Sequence, residues 1–179
     1  MIVILSGTSR PGSRTRCIVR ELEEAYAALG VPHEVLDLAR LPLDAFLPGA
    51  YAEKPASFAP FADTVQRAGG VHVVTPEYNG GMPGVLKHFI DLLKFPESFE
   101  GRPVAFTGVA AGMWGALRPV EQLQAIFAYR SAHVFPDRVF LPRIHELLDD
   151  AGRLKDAELR HRLHAQAAGF AEFVRKLRA

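Results

Sequence analysis

Short apolar runs alternate with longer amphipathic stretches along the chain, and the two periods predict different elements. Ile2 to Leu5 is continuously apolar, the pattern of a strand covered on both faces. Arg14 to Leu29 carries Ile18, Leu22, Ala25, Tyr26 and Leu29 at helical spacing, and Gly30 supplies a stop. His33 to Leu38 predicts a second, shorter strand. Four prolines between Leu41 and Pro60 predict a long surface loop, and Phe58 to Ala68 reads as a helix closed by Gly69-Gly70. Val71 to Thr75 is the third strand. Pro83 is placed as the first residue of a helix reaching Leu93, since its missing N–H has no partner there anyway. Val104 to Val109 is the fourth strand. A helix beginning at Trp114 or Leu117 runs through Ala128, with Pro119 confining its regular part to the residues after the proline. His133 to Leu141 reads as a fifth strand broken at Pro136. From Asp156 onward Leu159, Leu163, Ala167, Phe170, Val174 and Leu177 trace an amphipathic helix.

Five strands alternating with helices predict an α/β fold: a parallel sheet with helices on both faces, in three α/β/α layers. The expectation is one domain over residues 1–179, because a boundary in the proline-rich stretch leaves two fragments too small to stand alone. In a doubly wound sheet ordered 2-1-3-4-5 the strand order reverses between the first and third strands. Ligands bind outside the carboxyl ends of the strands at that reversal.

Two polar loops leave those strand ends. The first, Ser6 to Arg16, reads Ser-Gly-Thr-Ser-Arg-Pro-Gly-Ser-Arg-Thr-Arg and opens into a helix. Backbone N–H groups, the positive helix end and hydroxyls suit it to an anion, and Arg10 adds a planar cationic fork. Thr8, Arg10, Ser13 and Thr15 are the side chains placed around that anion. The Gly-Lys-Ser/Thr ending of a P-loop is missing, and Gly7 and Gly12 do not reproduce the dinucleotide spacing. Ser, Thr and Gly of such a loop also serve as an ordinary helix cap. The second loop, Thr75 to Gly84, reads Thr-Pro-Glu-Tyr-Asn-Gly-Gly-Met-Pro-Gly. Pro76 fixes the chain, Tyr78 offers an aromatic plane, Asn79 donates or accepts, and Gly80 and Gly81 permit close backbone approach. That combination suits a planar heteroaromatic ring. Nothing supplies Glu77 with a partner that tunes it as a base, so it is read as bracing the loop. A third loop, Ala110 to Gly115, leaves the fourth strand beside them, with Gly112 available to the far edge of a ring.

Composition narrows the partners. A net charge of +1 without a long basic run argues against nucleic acid. No apolar run of about 18 residues implies a membrane span, and the first strand lacks a signal-peptide pattern, so a cytoplasmic protein is expected. The single Cys17 excludes an internal disulfide and a cysteine-rich metal site, and is read as a small buried hydrophobe. His161 and His164 sit three apart on one helix without a carboxylate to complete a metal site.

Gly7 to Arg16 and Pro76 to Asp91, with a fainter match at Gly108 to Arg118, resemble the NADPH-dependent FMN reductases of the flavodoxin-like class. That family includes quinone, azo-dye and chromate reductases. The resemblance implies FMN as cofactor and NAD(P)H as co-substrate, in a ping-pong cycle with a small-molecule electron acceptor. It implies that Thr8, Arg10, Ser13, Arg14 and Thr15 hold the FMN phosphate. Pro76, Glu77, Tyr78, Asn79 and Gly80 would line the isoalloxazine, with Gly112 at its edge and no catalytic side chain. Arg14 and Arg118 are candidates for a nicotinamide nucleotide's 2′-phosphate. A homodimer or homotetramer, formed in part through the helix after Pro83, is also implied. Ala110 and Ala111 depart from the family's usual serine and proline. Two other readings are an electron-carrying flavodoxin, usually far more acidic than this chain, and a flavin-free hydrolase, for which no nucleophile is evident.

Overall fold

In the computed structural model, which describes residues 1–178, one all-parallel sheet has the order β2-β1-β3-β4-β5. The strands are β1 (Ile2–Ser6), β2 (His33–Asp37), β3 (Gly70–Pro76), β4 (Pro103–Val109) and β5 (His133–Leu141). The helices are α1 (Thr15–Ala28), α2 (Ala59–Arg67), α3 (Gly84–Leu92), α4 (Leu117–Tyr129), the single turn α5 (Ile144–Leu147) and α6 (Ala157–Arg178). Central strands β1, β3 and β4 are buried along their whole length, which is why they read as unbroken apolar runs. Alternate residues feed two cores. Ile2 and Ile4 pack with α1 and α6 through Ile18, Leu22, Leu163 and Phe170. Val3 and Leu5 face the opposite layer, with Val65 of α2, Phe89 of α3 and Phe127 of α4.

Four expectations need correction, the first being that Cys17 is partly exposed rather than a buried hydrophobe. The stretch from Leu41 to Pro60 is no open loop. It and the residues just before it form four one-turn 3-10 helices, Leu38–Arg40, Leu43–Phe46, Pro48–Tyr51 and Ala56–Phe58. They bury Leu38, Leu41, Ala45, Ala50 and Phe58 in the core. His88 of α3 clamps them, its Nε2 2.8 Å from the Ala45 carbonyl and its ring stacked on Phe46. Pro119 lies inside the regular part of α4, at its third residue, where a helix has no acceptor for an N–H in any case. Pro136 does not break β5. The register slips there, with Val104 facing Val134 but Phe106 facing Arg138, so the proline occupies a bulge on an edge strand.

One feature went unpredicted: a buried polar chain through the α1–α6 layer. Gln166 Nε2 donates to the carbonyls of Phe106 and Asp137, so its Oε1 is the acceptor for the Thr107 hydroxyl, 2.8 Å away. Thr107 Oγ1 must then accept from His72 Nε2 at 2.8 Å, leaving Nδ1 to accept from the Tyr26 hydroxyl at 2.7 Å. Burial pushes the Tyr26 hydroxyl far above its ordinary range, so it keeps its proton and donates. The chain ties α1, β3, β4 and α6 together with every group satisfied.

Burial lowers the pKa of His72 from 6.5 to about 3, so the folded protein holds it neutral. The unfolded chain takes up the proton first. The contribution of neutral His72 is therefore complete above pH 6.5 and is lost as pH falls toward about 3. Urea unfolding across pH should show His72→Gln less stable at pH 7 by about 1–3 kcal/mol. Its decline between pH 6 and 4.5 should be shallower by ~1.4 kcal/mol per unit. Equal slopes would show that His72 does not titrate in this way.

Candidate functional site

At the carboxyl ends of β1 and β3 the two polar loops meet. Gly7 N–H continues the β1–β3 ladder by donating to the Val74 carbonyl at 2.9 Å. A Cβ there would sit 2.9 Å from the Val74 oxygen and 3.0 Å from Leu86, so only glycine lets the first loop pass beneath α3. Next in the chain, the buried Thr8 shares a 2.6 Å hydrogen bond with the Tyr78 hydroxyl and accepts the Arg10 N–H at 3.1 Å. This latch couples the loop after β1 to the loop after β3, 70 residues later.

Beyond the latch the first loop turns through Gly12, at φ +66°, into α1. Ser13 donates to the Thr15 hydroxyl at 3.1 Å and accepts the Thr15 N–H at 3.3 Å. Arg14, at the N-cap, contributes no side-chain cap, and the first turn of α1 holds no acidic residue. Among the described residues the N–H groups of Gly12 and Arg14 find no acceptor in the chain. The positive end of a 14-residue helix is thus left uncompensated, with donors pointing at the loop. The simple reading of the loop as a cap accounts only for Ser13 and Thr15.

In the second loop Tyr78 and Gly81 exchange both backbone hydrogen bonds, at 2.9 and 3.0 Å. Asn79 and Gly80 between them have φ +51° and +76°, a type I′ turn that this residue pair favours. Gln122 of α4 anchors the turn by accepting the Met82 N–H at 3.0 Å. Glu77 N–H donates to Val109, and its carboxylate pairs with Arg118 of α4 at 3.4 Å. The third loop is sewn to the end of β5 and the segment after it: Ala110 N–H donates to Leu141, Ile144 to Ala110 and Arg143 to Gly112.

These loops enclose a cavity of about 180 Å³. Of the residues singled out from sequence, Arg10, Ser13, Arg14, Thr15, Pro76, Glu77 and Tyr78 line it. Thr8 lies beneath it as part of the latch. Asn79, Gly80 and Gly112 stand outside its wall, the first two forming the turn and Gly112 receiving Arg143. Sequence reasoning missed Pro11, Gly12, Val109 and Ile144 as lining residues, and the Glu77–Arg118 pair, while Ala110 and Ala111 belong to the third loop expected at the ring's edge. The alanine loop was visible in the sequence. Ile144 carries no local signal, because only the return of β5 brings it there. A space of this size is below that of a typical small-molecule pocket, so a larger planar ligand would leave much of itself exposed.

Comparison with known proteins agrees with this geometry. Residues 1–146 match the NADPH-dependent FMN reductase family. The chain belongs to that family. It is 30% identical to an NAD(P)H-dependent FMN reductase of Pseudomonas aeruginosa, the alignment covering 97% of this chain and 95% of the relative. It is 32% identical to an NADPH azoreductase of a Bacillus species, over 84% and 83% of the two chains. Among solved structures it resembles an NAD(P)H:acceptor flavoenzyme of Paracoccus denitrificans, with TM-score 0.81 and 22% identity over 98% and 97% of the chains. A flavodoxin of Streptococcus pneumoniae shares the fold at TM-score 0.63.

Removing the latch should loosen the loops without disturbing the sheet. Tyr78→Phe is expected to cost about 0.5–1.5 kcal/mol in chemical unfolding and to speed amide exchange from Thr8 to Ser13. Unchanged exchange in that loop would show that the hydroxyl pair carries no tension between the two segments.

Proposed function

We propose that the chain is an FMN-dependent NAD(P)H oxidoreductase that passes electrons to a small acceptor such as a quinone, azo compound, free flavin or chromate. One observation carries this reading. In a member of this family, an uncompensated helix N-terminus with two arginines shares one cavity with the Pro76–Tyr78 edge, and the Thr8–Tyr78 bond joins them.

The residues present fit FMN. Free N–H groups of Gly12 and Arg14, the Ser13 and Thr15 hydroxyls and the guanidinium groups of Arg10 and Arg14 offer the donors a phosphate needs. Pro76, Glu77 and Tyr78 offer an edge for the isoalloxazine, with Asn79 and Gly80 setting the turn behind it. Ala110 and Ala111 line the cavity with methyl groups and would bound the ring there, with Gly112 just beyond them. Bound FMN supplies the hydride acceptance and electron delivery, leaving the protein to bind, orient and leave one face accessible. The shallow cavity favours this, because an exposed ring admits nucleotide and acceptor in turn, as a ping-pong cycle requires.

We further infer a cytoplasmic protein assembled as a homodimer or homotetramer. The absence of a described helix long and apolar enough to cross a membrane is consistent with that compartment. A groove of about 730 Å³ between α3 and α4 supports the assembly, with Tyr51, Phe95 and Tyr129 each more than half exposed beside it.

Reconstituted with FMN, the protein should be yellow and oxidise NAD(P)H with a quinone present, giving parallel double-reciprocal lines. Arg10→Ala should weaken FMN binding about tenfold, the usual effect of losing one charge-assisted hydrogen bond. A yellow protein without turnover would indicate an electron carrier, and one that takes up no flavin would overturn the reading.

A further inference from the structure

The apolar wall of the cavity between the loops continues beyond its rim. Val109, Ala110 and Ala111 line the cavity, and past Gly112 the chain reaches Met113 and Trp114, which are 68% and 54% exposed. Trp114 is the single tryptophan of the chain. Among the described residues its ring packs on no other aromatic ring and its indole N–H donates to no acceptor. Single exposed apolar side chains are ordinary on a protein surface. These two are consecutive and prolong the wall of a cavity.

The backbone beneath them is pinned. The Gly112 carbonyl accepts the Arg143 N–H at 3.1 Å, and the Trp114 carbonyl accepts the Leu117 N–H at 3.0 Å. Gly115 and Ala116 follow with φ +59° and +70°. A Cβ on Gly115 would lie 2.9 Å from the Phe140 Cβ, and Ala116 is fully buried, so this reversal is built against β5. Arg118, in the first turn of α4, then pairs with Glu77 of the cavity wall. The loop thus leaves the cavity at Ala111 and returns to it at Arg118, with Trp114 between. Three residues from Ala111, the Trp114 Cα lies within about 11 Å of that wall.

A space of about 180 Å³ cannot enclose both an isoalloxazine and a second substrate, so an electron acceptor there keeps one face outside the cavity. A planar aromatic acceptor gains from a second apolar surface against that face, whereas a compact hydrated anion does not. Elsewhere on the rim, a Cβ on Gly80 or Gly112 would meet no atom within 4 Å, so nothing at those positions limits the length of the acceptor.

We propose that Trp114, with Met113, is the acceptor-selecting surface of this chain, stacking on planar aromatic acceptors of two or more rings and favouring them over compact inorganic ones. The proposal rests on the cavity being the flavin site. Its test compares the FMN-loaded protein with Trp114→Ala and Trp114→Phe, using a naphthoquinone and ferricyanide as acceptors. Trp114→Ala should raise the naphthoquinone KM about three- to tenfold relative to that for ferricyanide, the usual contribution of an aromatic pair, and Trp114→Phe should restore most of it. As the single tryptophan, Trp114 also reports without turnover: its emission in the oxidised, FMN-loaded protein should fall saturably as naphthoquinone is added. Quenching that never saturates, or equal KM changes for the two acceptors, would overturn the proposal. So would a Trp114→Ala protein that loses FMN or sediments as a smaller species, since the side chain would then hold the cofactor or a second copy. A protein that takes up no FMN removes the flavin reading and this one together; a loaded protein whose variants do not distinguish the acceptors removes only this one.

Discussion

The whole site follows from the chain changing its direction of travel across the sheet between β1 and β3. From β1 the chain steps to β2 with α1 on one face; from β3 it steps the opposite way, through β4 to β5, with α3 and α4 on the other. Right-handed crossovers in opposite directions must put their helices on opposite faces, so the loops after β1 and β3 part and leave a crevice. The Thr8–Tyr78 hydrogen bond spans the bottom of that crevice. It sets how far an anion-binding helix end lies from a flat loop edge. That separation decides what kind of ligand fits both.

Holding the crevice still is work for the layer below. β3 supplies both the Pro76 edge and His72, and β4 supplies both the Ala110 loop and Thr107. The polar chain from Tyr26 to Gln166 therefore fixes α1, β3 and β4 relative to one another beneath the loops they carry. Apolar packing alone tolerates small slides between layers; a fully satisfied chain of directional bonds does not. The strain-free I′ turn at Asn79-Gly80 and its anchor on Gln122 complete the support from the other side.

Much of this was legible in the sequence because burial on both faces writes itself as unbroken apolar runs, as in β1, β3 and β4. The helices α1 and α6 were legible from their periodicity. The 3-10 turns after β2 were not, because their few apolar residues follow no single period and their clamp, His88, lies some forty residues on. Pro119 and Pro136 misled for one reason: a proline interrupts structure only where its N–H is needed, and a first helical turn and an edge bulge do not need it. In the site, residue types announced the two loops, and topology brought them together. Thr8, expected at the anion, bonds the Tyr78 hydroxyl and lies outside the cavity wall. That bond and the contribution of Ile144 depend on long-range contacts that no local pattern encodes.

One ligand, on this reading of the crevice, is held by its phosphate end in the loop after β1 and by its ring on the loop after β3. The affinities of FMN and riboflavin, compared by flavin fluorescence on the apoprotein, test this most directly, since the two differ only in that phosphate. FMN should bind at least about a hundredfold more tightly than riboflavin, in keeping with several charge-assisted bonds. Equal affinities would contradict a phosphate held in the first loop.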